Sequence, residues 1–175
     1  MSNNNIIEDP KSGRFISETV SEMLKVIVIS LMIIIPVRYF LLQPFFVKGA
    51  SMEPNFFDHE YLVIDELSYR FKQPQRGEII VFRYPKDPRQ YFIKRIIGLP
   101  NDSLEIRDNA IYVNGLKLDE LAYLPVAVNT FGNVFIKLGP DEYFLMGDNR
   151  DFSLDSRSFG PVNQKYIVGL AWFRG

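Results

Sequence analysis

Residues 104 to 118, Leu-Glu-Ile-Arg-Asp-Asn-Ala-Ile-Tyr-Val-Asn-Gly-Leu-Lys-Leu, give the clearest indication of the fold. Apolar and polar side chains alternate through this stretch, which is typical of strands with one buried face. Asp108-Asn109 and Asn114-Gly115 interrupt the alternation, and Asn-Gly between alternating runs is the strongest short signal of a β-hairpin. The stretch therefore predicts three short antiparallel strands joined by tight turns.

Short apolar or alternating runs continue this pattern on both sides. They predict further strands at residues 61–64, 78–83, 91–97, 134–138, 142–146 and 166–173. We therefore expect residues 44–175 to form one mainly β domain of antiparallel strands, with an irregular excursion near residues 119–133.

The N-terminal part follows a different pattern. Residues 26–35 are apolar on every side of a helix, and the apolar run continues to Val47 with breaks at Arg38 and Gln43. Its length is close to the roughly 20 residues that span a bilayer. Arg38 is near one end of the run, where a long side chain can reach the interface, and Pro36 is expected to kink or end the helix. A buried core helix and a cleaved signal peptide are the alternatives, but no small-residue cleavage site follows the run.

From this run we predict three segments: a cytoplasmic tail over residues 1–22, a single transmembrane anchor over residues 23–43 and an extracytoplasmic β domain over residues 44–175. Lys11, Arg14 and Lys25 precede the span, so the positive-inside rule favours a cytoplasmic N-terminus. The plasma (inner) membrane is the expected location, and a thylakoid-type membrane is the other option.

The composition excludes several classes of function. The formal net charge of -1 provides no field that would attract nucleic acid. The absence of cysteine rules out disulfides, thiolate metal sites and a cysteine nucleophile. His59 is the single histidine, so zinc sites that need two histidines are excluded. A serine nucleophile would have to use His59, which lies in a polar turn, or a lysine as its base.

Lys94 is the lysine whose neighbours are most apolar. In a strand over residues 91–97, Phe92 and Ile96 share its face, while the opposite face is also largely apolar. Because a lysine of ordinary pKa is neutral in only about one molecule in 2,500 at pH 7, a catalytic lysine must be desolvated. The pattern is equally consistent with a lysine that protects an edge strand from aggregation.

Two polar segments contain the other candidate residues. Gly49-Ala50-Ser51-Met52-Glu53-Pro54 is a small-residue turn whose backbone could approach a substrate, although such turns with serine are common. Residues 147–157, Gly-Asp-Asn-Arg-Asp-Phe-Ser-Leu-Asp-Ser-Arg, are rich in charge. Asp155 and Arg157 would share a side of an extended segment and form an ion pair, and Ser153 or Ser156 could orient a lysine amine. The spacing of the carboxylates does not fit an EF-hand calcium loop.

Taken in order, these segments resemble bacterial type I signal peptidases, the Ser-Lys serine proteases of family S26. The resemblance rests on the N-terminal apolar run and on segments 51–54, 76–82, 94–102 and 147–157. It implies an antiparallel β domain after one transmembrane helix, and an endopeptidase that removes signal peptides after Ala-x-Ala sequences without metal or cofactor. The implied partners are preprotein signal peptides, the phospholipid membrane and the secretion translocon, with no nucleic acid. We expect a monomer.

The resemblance also implies roles for individual residues. Ser51 matches the nucleophile and Lys94 its general base, Ser153 the serine that hydrogen-bonds the lysine, and Asp155 and Arg157 a supporting pair. The residues that match the substrate-binding positions are Phe45, Val47, Met52, Phe56, Phe92 and Ile93.

Three positions depart from the usual family pattern. Gly49 occupies a position where some members have an oxyanion-hole serine, so the backbone N–H of Ser51 is the donor we can name for an oxyanion site at Gly49 and Ser51. Asn55 replaces a usual threonine and Asn101 a usual glycine. The remaining alternatives are a LexA-like self-cleaving Ser-Lys protease and a non-catalytic, membrane-tethered β module that binds exported chains.

Overall fold

The computed structural model of the chain describes residues 10–40, 43–125 and 128–174. They belong to two compact units, which divide between Tyr39 and Phe40. The predictions for residues 1–9 lie outside the described residues.

The described part of the N-terminal unit is helix α1, Pro10–Phe40, whose last residue falls in the second unit. The helix begins inside the predicted tail of residues 1–22, and it continues past Pro36, which was predicted to kink or end it. Apolar side chains along its centre are exposed, for example 64% at Val26 and 69% at Met32. Within the described residues, no helix has both the length and the apolar character required to cross a bilayer.

The second unit is mainly β, as predicted. Its described part contains the strands β1 Gln43–Phe46, β2 Tyr61–Asp65, β3 Ile79–Tyr84, β4 Asp87–Gly98, β5 Ser103–Arg107, β6 Ala110–Val113, β7 Leu116–Lys117, β8 Val134–Lys137, β9 Glu142–Met146, β10 Val162–Asn163 and β11 Ile167–Arg174. One short helix, α2, covers Ser156–Phe159, and single 3₁₀ turns cover Ser68–Arg70 and Gln164–Tyr166.

The strands form two antiparallel sheets. The larger sheet has seven strands in the order β1-β2-β11-β3-β4-β9-β10, and the smaller has four in the order β7-β6-β5-β8. Strand β4 lies between β3 and β9, where Lys94 pairs with Ile80 and Arg95 pairs with Met146. Because β4 is an inner strand, both of its faces are buried from Ile93 to Gly98. Lys94 therefore does not lie on an edge strand, and that interpretation is wrong.

Every predicted strand has a counterpart, and strand β1 was not predicted. Gln43, the predicted end of the anchor, belongs to β1 and pairs with Ile64. β1 was hidden because its aromatic residues resume the apolar run of α1 after Gln43, and one polar residue does not mark a change from helix to strand. Strand β10 and helix α2 were also not predicted.

Three apolar clusters stabilise the β unit. One, with Ile97, Leu104 and Phe144, joins the small sheet to β4 and β9. A second, with Ile80, Phe82 and Leu145, fills one side of the large sheet. The third, with Met52, Leu62 and Ile93, packs beneath the turn that contains Ser51.

Candidate active site

Ser51 lies in a tight turn directly after β1. The backbone pairing of β1 with the next strand continues to Val47, whose N–H donates to the Glu60 carbonyl oxygen at 3.0 Å. The chain then turns at Gly49, whose φ of 87° is accessible to glycine without strain. After the serine, the N–H of Phe56 donates to the Met52 carbonyl oxygen at 2.9 Å, and the fully buried Met52 side chain anchors the turn in the core.

Lys94 extends from β4 to this turn. Its Nζ lies 2.7 Å from Ser51 Oγ and 2.8 Å from the carbonyl oxygen of Ile93. The lysine is 4% exposed, and its amine lies 5.7 Å from the centre of the Phe92 ring. The fold therefore brings Ser51 and Lys94 into direct contact across 43 positions of sequence.

Burial determines the acid–base behaviour of Lys94. Desolvation lowers the pKa of its amine from 10.5 to about 8, while the negative charges of Asp155 and Asp148 oppose the shift. A substantial fraction of the amine is therefore neutral near pH 8. A neutral amine 2.7 Å from a hydroxyl can accept its proton.

Asp155 and Arg157 form the predicted ion pair, with the guanidinium Nε 2.9 Å from Asp155 Oδ1. The segment is not extended as expected: Asp155 is the N-cap of α2 and accepts from the backbone N–H of Arg157. Asp155 is fully buried and also accepts from the N–H of Gly147 at 3.2 Å. The pair therefore fixes the start of the segment 147–157 to its end.

The hydrogen bond expected between Ser153 and Lys94 is not formed. The Ser153 hydroxyl is buried and has no hydrogen-bond partner among the described residues. It faces Gly147, where a Cβ would stand 2.2 Å from Ser153 Oγ and 2.4 Å from the Ser51 carbonyl oxygen. The lysine amine instead uses the Ile93 carbonyl oxygen. The other candidate, Ser156, accepts from the Leu145 N–H at 3.0 Å.

A buried ion pair next to Lys94 was not predicted. Arg95 and Asp148 are joined by two hydrogen bonds, of 2.8 Å from Nε and 2.6 Å from Nη2. Asn55 Nδ2 donates to the same carboxylate at 2.7 Å, and the Arg95 guanidinium lies 4.2 Å from the Tyr123 ring centre. These residues lie in separate sequence segments, so no local spacing could indicate their contact.

A cleft of about 320 Å³ opens beside Ser51 and Lys94. Four of the predicted substrate-binding residues line it: Phe45, Val47, Phe92 and Ile93. The other two do not line it. Met52 is fully buried and Phe56 is 8% exposed, because both pack into the core beneath the turn.

Sequence reasoning missed Phe152 and Leu154, which also line the cleft. Phe152 is 77% exposed, so its ring is accessible to a bound peptide. The presence of these two apolar residues in the otherwise polar segment 147–157 was the signal that could have indicated their place in the cleft.

The predicted oxyanion residues differ in their backbone N–H groups. The N–H of Gly49 donates to Asp58 Oδ1 at 2.7 Å and is not available to a substrate. The N–H of Ser51 donates to no group among the described residues. Of these two N–H groups, only that of Ser51 is left without an acceptor among the described residues.

His59 lies apart from this chemistry. Its side chain is 76% exposed and its Nδ1 lies 2.9 Å from the carboxylate of the adjacent Asp58. Within the part of the chain that the structure describes, no group of three or more His, Asp and Glu residues is arranged to hold a metal ion.

The chain is similar to several known proteins. The model of the family "Signal peptidase, peptidase S26" matches residues 20–175. A probable signal peptidase I-2 of Synechocystis is 36% identical over 87% of this chain and 72% of its own length. Signal peptidase I V of Bacillus subtilis is 34% identical over 82% of this chain and 91% of its own length. A signal peptidase I structure from Enterococcus faecalis, 36% identical, aligns with a TM-score of 0.49 over 57% of this chain and 97% of its own.

A buried lysine in contact with a serine at an apolar cleft defines the site as one suited to serine peptidase chemistry. The chain belongs to the signal peptidase family, peptidase S26.

Proposed function

We propose that the chain removes signal peptides from exported preproteins, with Ser51 as the nucleophile and Lys94 as the general base. The contact of 2.7 Å between a buried lysine amine and the serine hydroxyl is the observation that supports this most strongly. Neutral Lys94 accepts the Ser51 proton while Oγ attacks the scissile carbonyl carbon. The tetrahedral intermediate then collapses, the C–N bond breaks, and the Lys94 ammonium returns the proton to the leaving amine. A water molecule activated by Lys94 hydrolyses the resulting ester.

The lining of the cleft supports a preference for small side chains before the cleaved bond. Phe45, Val47, Phe92 and Ile93 form apolar walls beside the serine. Such walls leave room for residues such as alanine and would exclude larger or charged side chains, which gives a physical basis for an Ala-x-Ala rule. Asp155 and Arg157 support the segment that packs against the Ser51 turn.

We also propose that the helical part of the predicted anchor, residues 23–43, holds the enzyme in the plasma (inner) membrane as a single anchor, with the tail cytoplasmic and the catalytic unit outside. The exposed apolar side chains of α1, including Val26, Met32 and Ile35, support a lipid environment for this helix. In this arrangement the partners are the signal peptide, the lipid bilayer and the secretion translocon, the enzyme acts as a monomer, and no cofactor or nucleic acid takes part.

The test uses the detergent-solubilised full chain and a preprotein with an Ala-x-Ala site. We expect wild type to cleave it, and Ser51→Ala and Lys94→Ala each to lose about 10³-fold or more in kcat/KM. Ser103→Ala and Lys165→Ala, which change the same residue types outside the cleft, serve as matched controls and should retain full activity.

The outcomes separate this mechanism from the alternatives. Cleavage that survives Ser51→Ala would contradict the nucleophile. Cleavage of the chain itself, with none of the preprotein, would favour a self-cleaving protease. Binding of the preprotein by wild type without cleavage would favour a binding module.

A further inference from the structure

Asn149 is bonded twice to the turn that contains Ser51. Its backbone N–H donates to the Ser51 carbonyl oxygen at 3.2 Å. Its side-chain Nδ2 donates to the Ala50 carbonyl oxygen at 3.0 Å. Because a carbonyl oxygen can only accept, the amide nitrogen is the atom that must face it. Asn149 thus holds the peptide groups on both sides of the serine.

The bond to Ala50 matters because of the peptide unit that it fixes. The carbonyl of Ala50 and the N–H of Ser51 belong to one planar trans peptide group, so they point in opposite directions. The Asn149 amide, together with the Glu53 N–H that donates to the same oxygen at 3.2 Å, holds the carbonyl on one side and so directs the N–H on the other. The bond also polarises the peptide group, which strengthens the N–H as a donor.

The direction and strength of the Ser51 N–H as a donor matter because few other donors are available near the serine. It donates to no other group among the described residues, and the neighbouring Gly49 N–H is already bonded to Asp58. A glycine at position 49 supplies no side-chain hydroxyl to share the charge of an oxyanion. Stabilisation of the tetrahedral intermediate then depends strongly on one backbone N–H and on how well it is directed.

We propose that Asn149 is a positioning residue for the oxyanion hole: through its bond to the Ala50 carbonyl oxygen it directs and polarises the Ser51 N–H. This inference rests on the proposed function. Asn149 contacts neither Lys94 nor Ser51 Oγ in the hydrogen-bond network, so its role is separate from that of the base.

The experiment compares Asn149→Ala and Asn149→Leu with wild type in detergent. The leucine variant keeps most of the side-chain volume, so it remains informative if the alanine variant folds poorly. Asn163→Ala is the matched control, because Asn163 is a half-buried residue of the edge strand β10 that caps the turn following it. The measurements are kcat, KM, the pH profile and the affinity for a peptide aldehyde, whose adduct with a serine is tetrahedral, together with the thermal unfolding midpoint.

We expect both Asn149 variants to lose about 10- to 100-fold in kcat, less than or equal to the loss on removing an oxyanion donor outright. KM should stay within about twofold, since ground-state binding does not use the oxyanion hole. Affinity for the aldehyde should fall by about the same factor as kcat, and the apparent pKa of the pH profile should not move. Asn163→Ala should keep the kcat, KM, pH profile and aldehyde affinity of wild type.

Two results would overturn the proposal. One is an Asn149→Leu enzyme that folds and keeps kcat and aldehyde affinity within about twofold of wild type. The other is a loss of kcat together with a displaced apparent pKa, which would show that Asn149 acts through Lys94. These two results are informative only if wild type cleaves the preprotein and Ser51→Ala does not. If wild type does not cleave, the proposed function fails, and this outcome is distinct from a failure of the inference about Asn149.

Discussion

The backbone of Gly147 packs directly on the carbonyl oxygen of Ser51, so closely that a Cβ at position 147 would lie 2.4 Å from that oxygen. The same Cβ would meet Ser153 Oγ at 2.2 Å. The close approach explains why glycine is required here, and it shows that the segment 147–157 forms one wall of the turn that holds the nucleophile.

Gly147→Ala is therefore expected to displace the Ser51 turn, because a backbone atom cannot rotate away as a side chain can. We expect a loss of about 1–3 kcal/mol in the free energy of unfolding and about 100-fold in kcat/KM. Denaturant unfolding and cleavage assays measure the two effects. Gly139→Ala is the control, since its Cβ would meet the flexible end of Glu142 at 3.1 Å. A Gly147→Ala enzyme with the kcat/KM of wild type would contradict the close packing of Gly147 on Ser51.

The pair of Arg95 and Asp148 gives a second prediction. Asp148→Asn leaves a buried guanidinium without its counter-charge and should cost about 3–5 kcal/mol of stability. The change also removes one of the negative charges that raise the pKa of Lys94, so that pKa should fall further. Surviving activity should thus appear at lower pH than in wild type.

The matched control is Asp151→Asn, an exposed aspartate of the same segment. It should leave both stability and the pH profile unchanged. A pH profile that moves to higher values in Asp148→Asn would contradict the electrostatic argument.

The sequence predicted those strands that depend on a local pattern of side chains, and it did not predict elements that only distant contacts distinguish. Alternation of side chains predicted β6, and a short apolar run predicted β9, each with the bounds that the structure shows, because both patterns are local. Strand β1 was missed because its apolar residues continue those of the helix, and only the pairing with β2 distinguishes them. Helix α2 was missed although Asp155 and Gly160, which cap it, were visible signals.

The contacts within the candidate active site could be predicted less well from neighbouring residues than the strands could. Strand parity suggested that Lys94 is desolvated, but its partner Ser51 followed from the family resemblance and not from any spacing. The resemblance in turn led to an expected bond from Ser153 that this structure does not contain. The contacts of Asp148 and Asn149 join distant segments, and such pairs are determined by the three-dimensional fold.

Lys94 also makes stability depend on pH. Its folded pKa of about 8 is below the value of 10.5 for an unperturbed lysine, so between these values the unfolded state binds more protons. The free energy of unfolding of wild type should rise with pH across this window.

Lys94→Met removes the titrating group and should be more stable than wild type by about 3 kcal/mol near pH 7, with the difference shrinking toward about pH 10.5. Paired denaturant titrations of the two proteins at several pH values measure this. A difference that does not change with pH would mean that the amine is not desolvated.

The central claim is that a desolvated lysine activates Ser51, and the pH dependence of kcat/KM for a preprotein with an Ala-x-Ala site tests it most directly. Because the base must be neutral, the rate should rise with pH and level off above an apparent pKa of about 8. A rate that continues to rise until about pH 10.4, the value of an exposed lysine, would contradict the account.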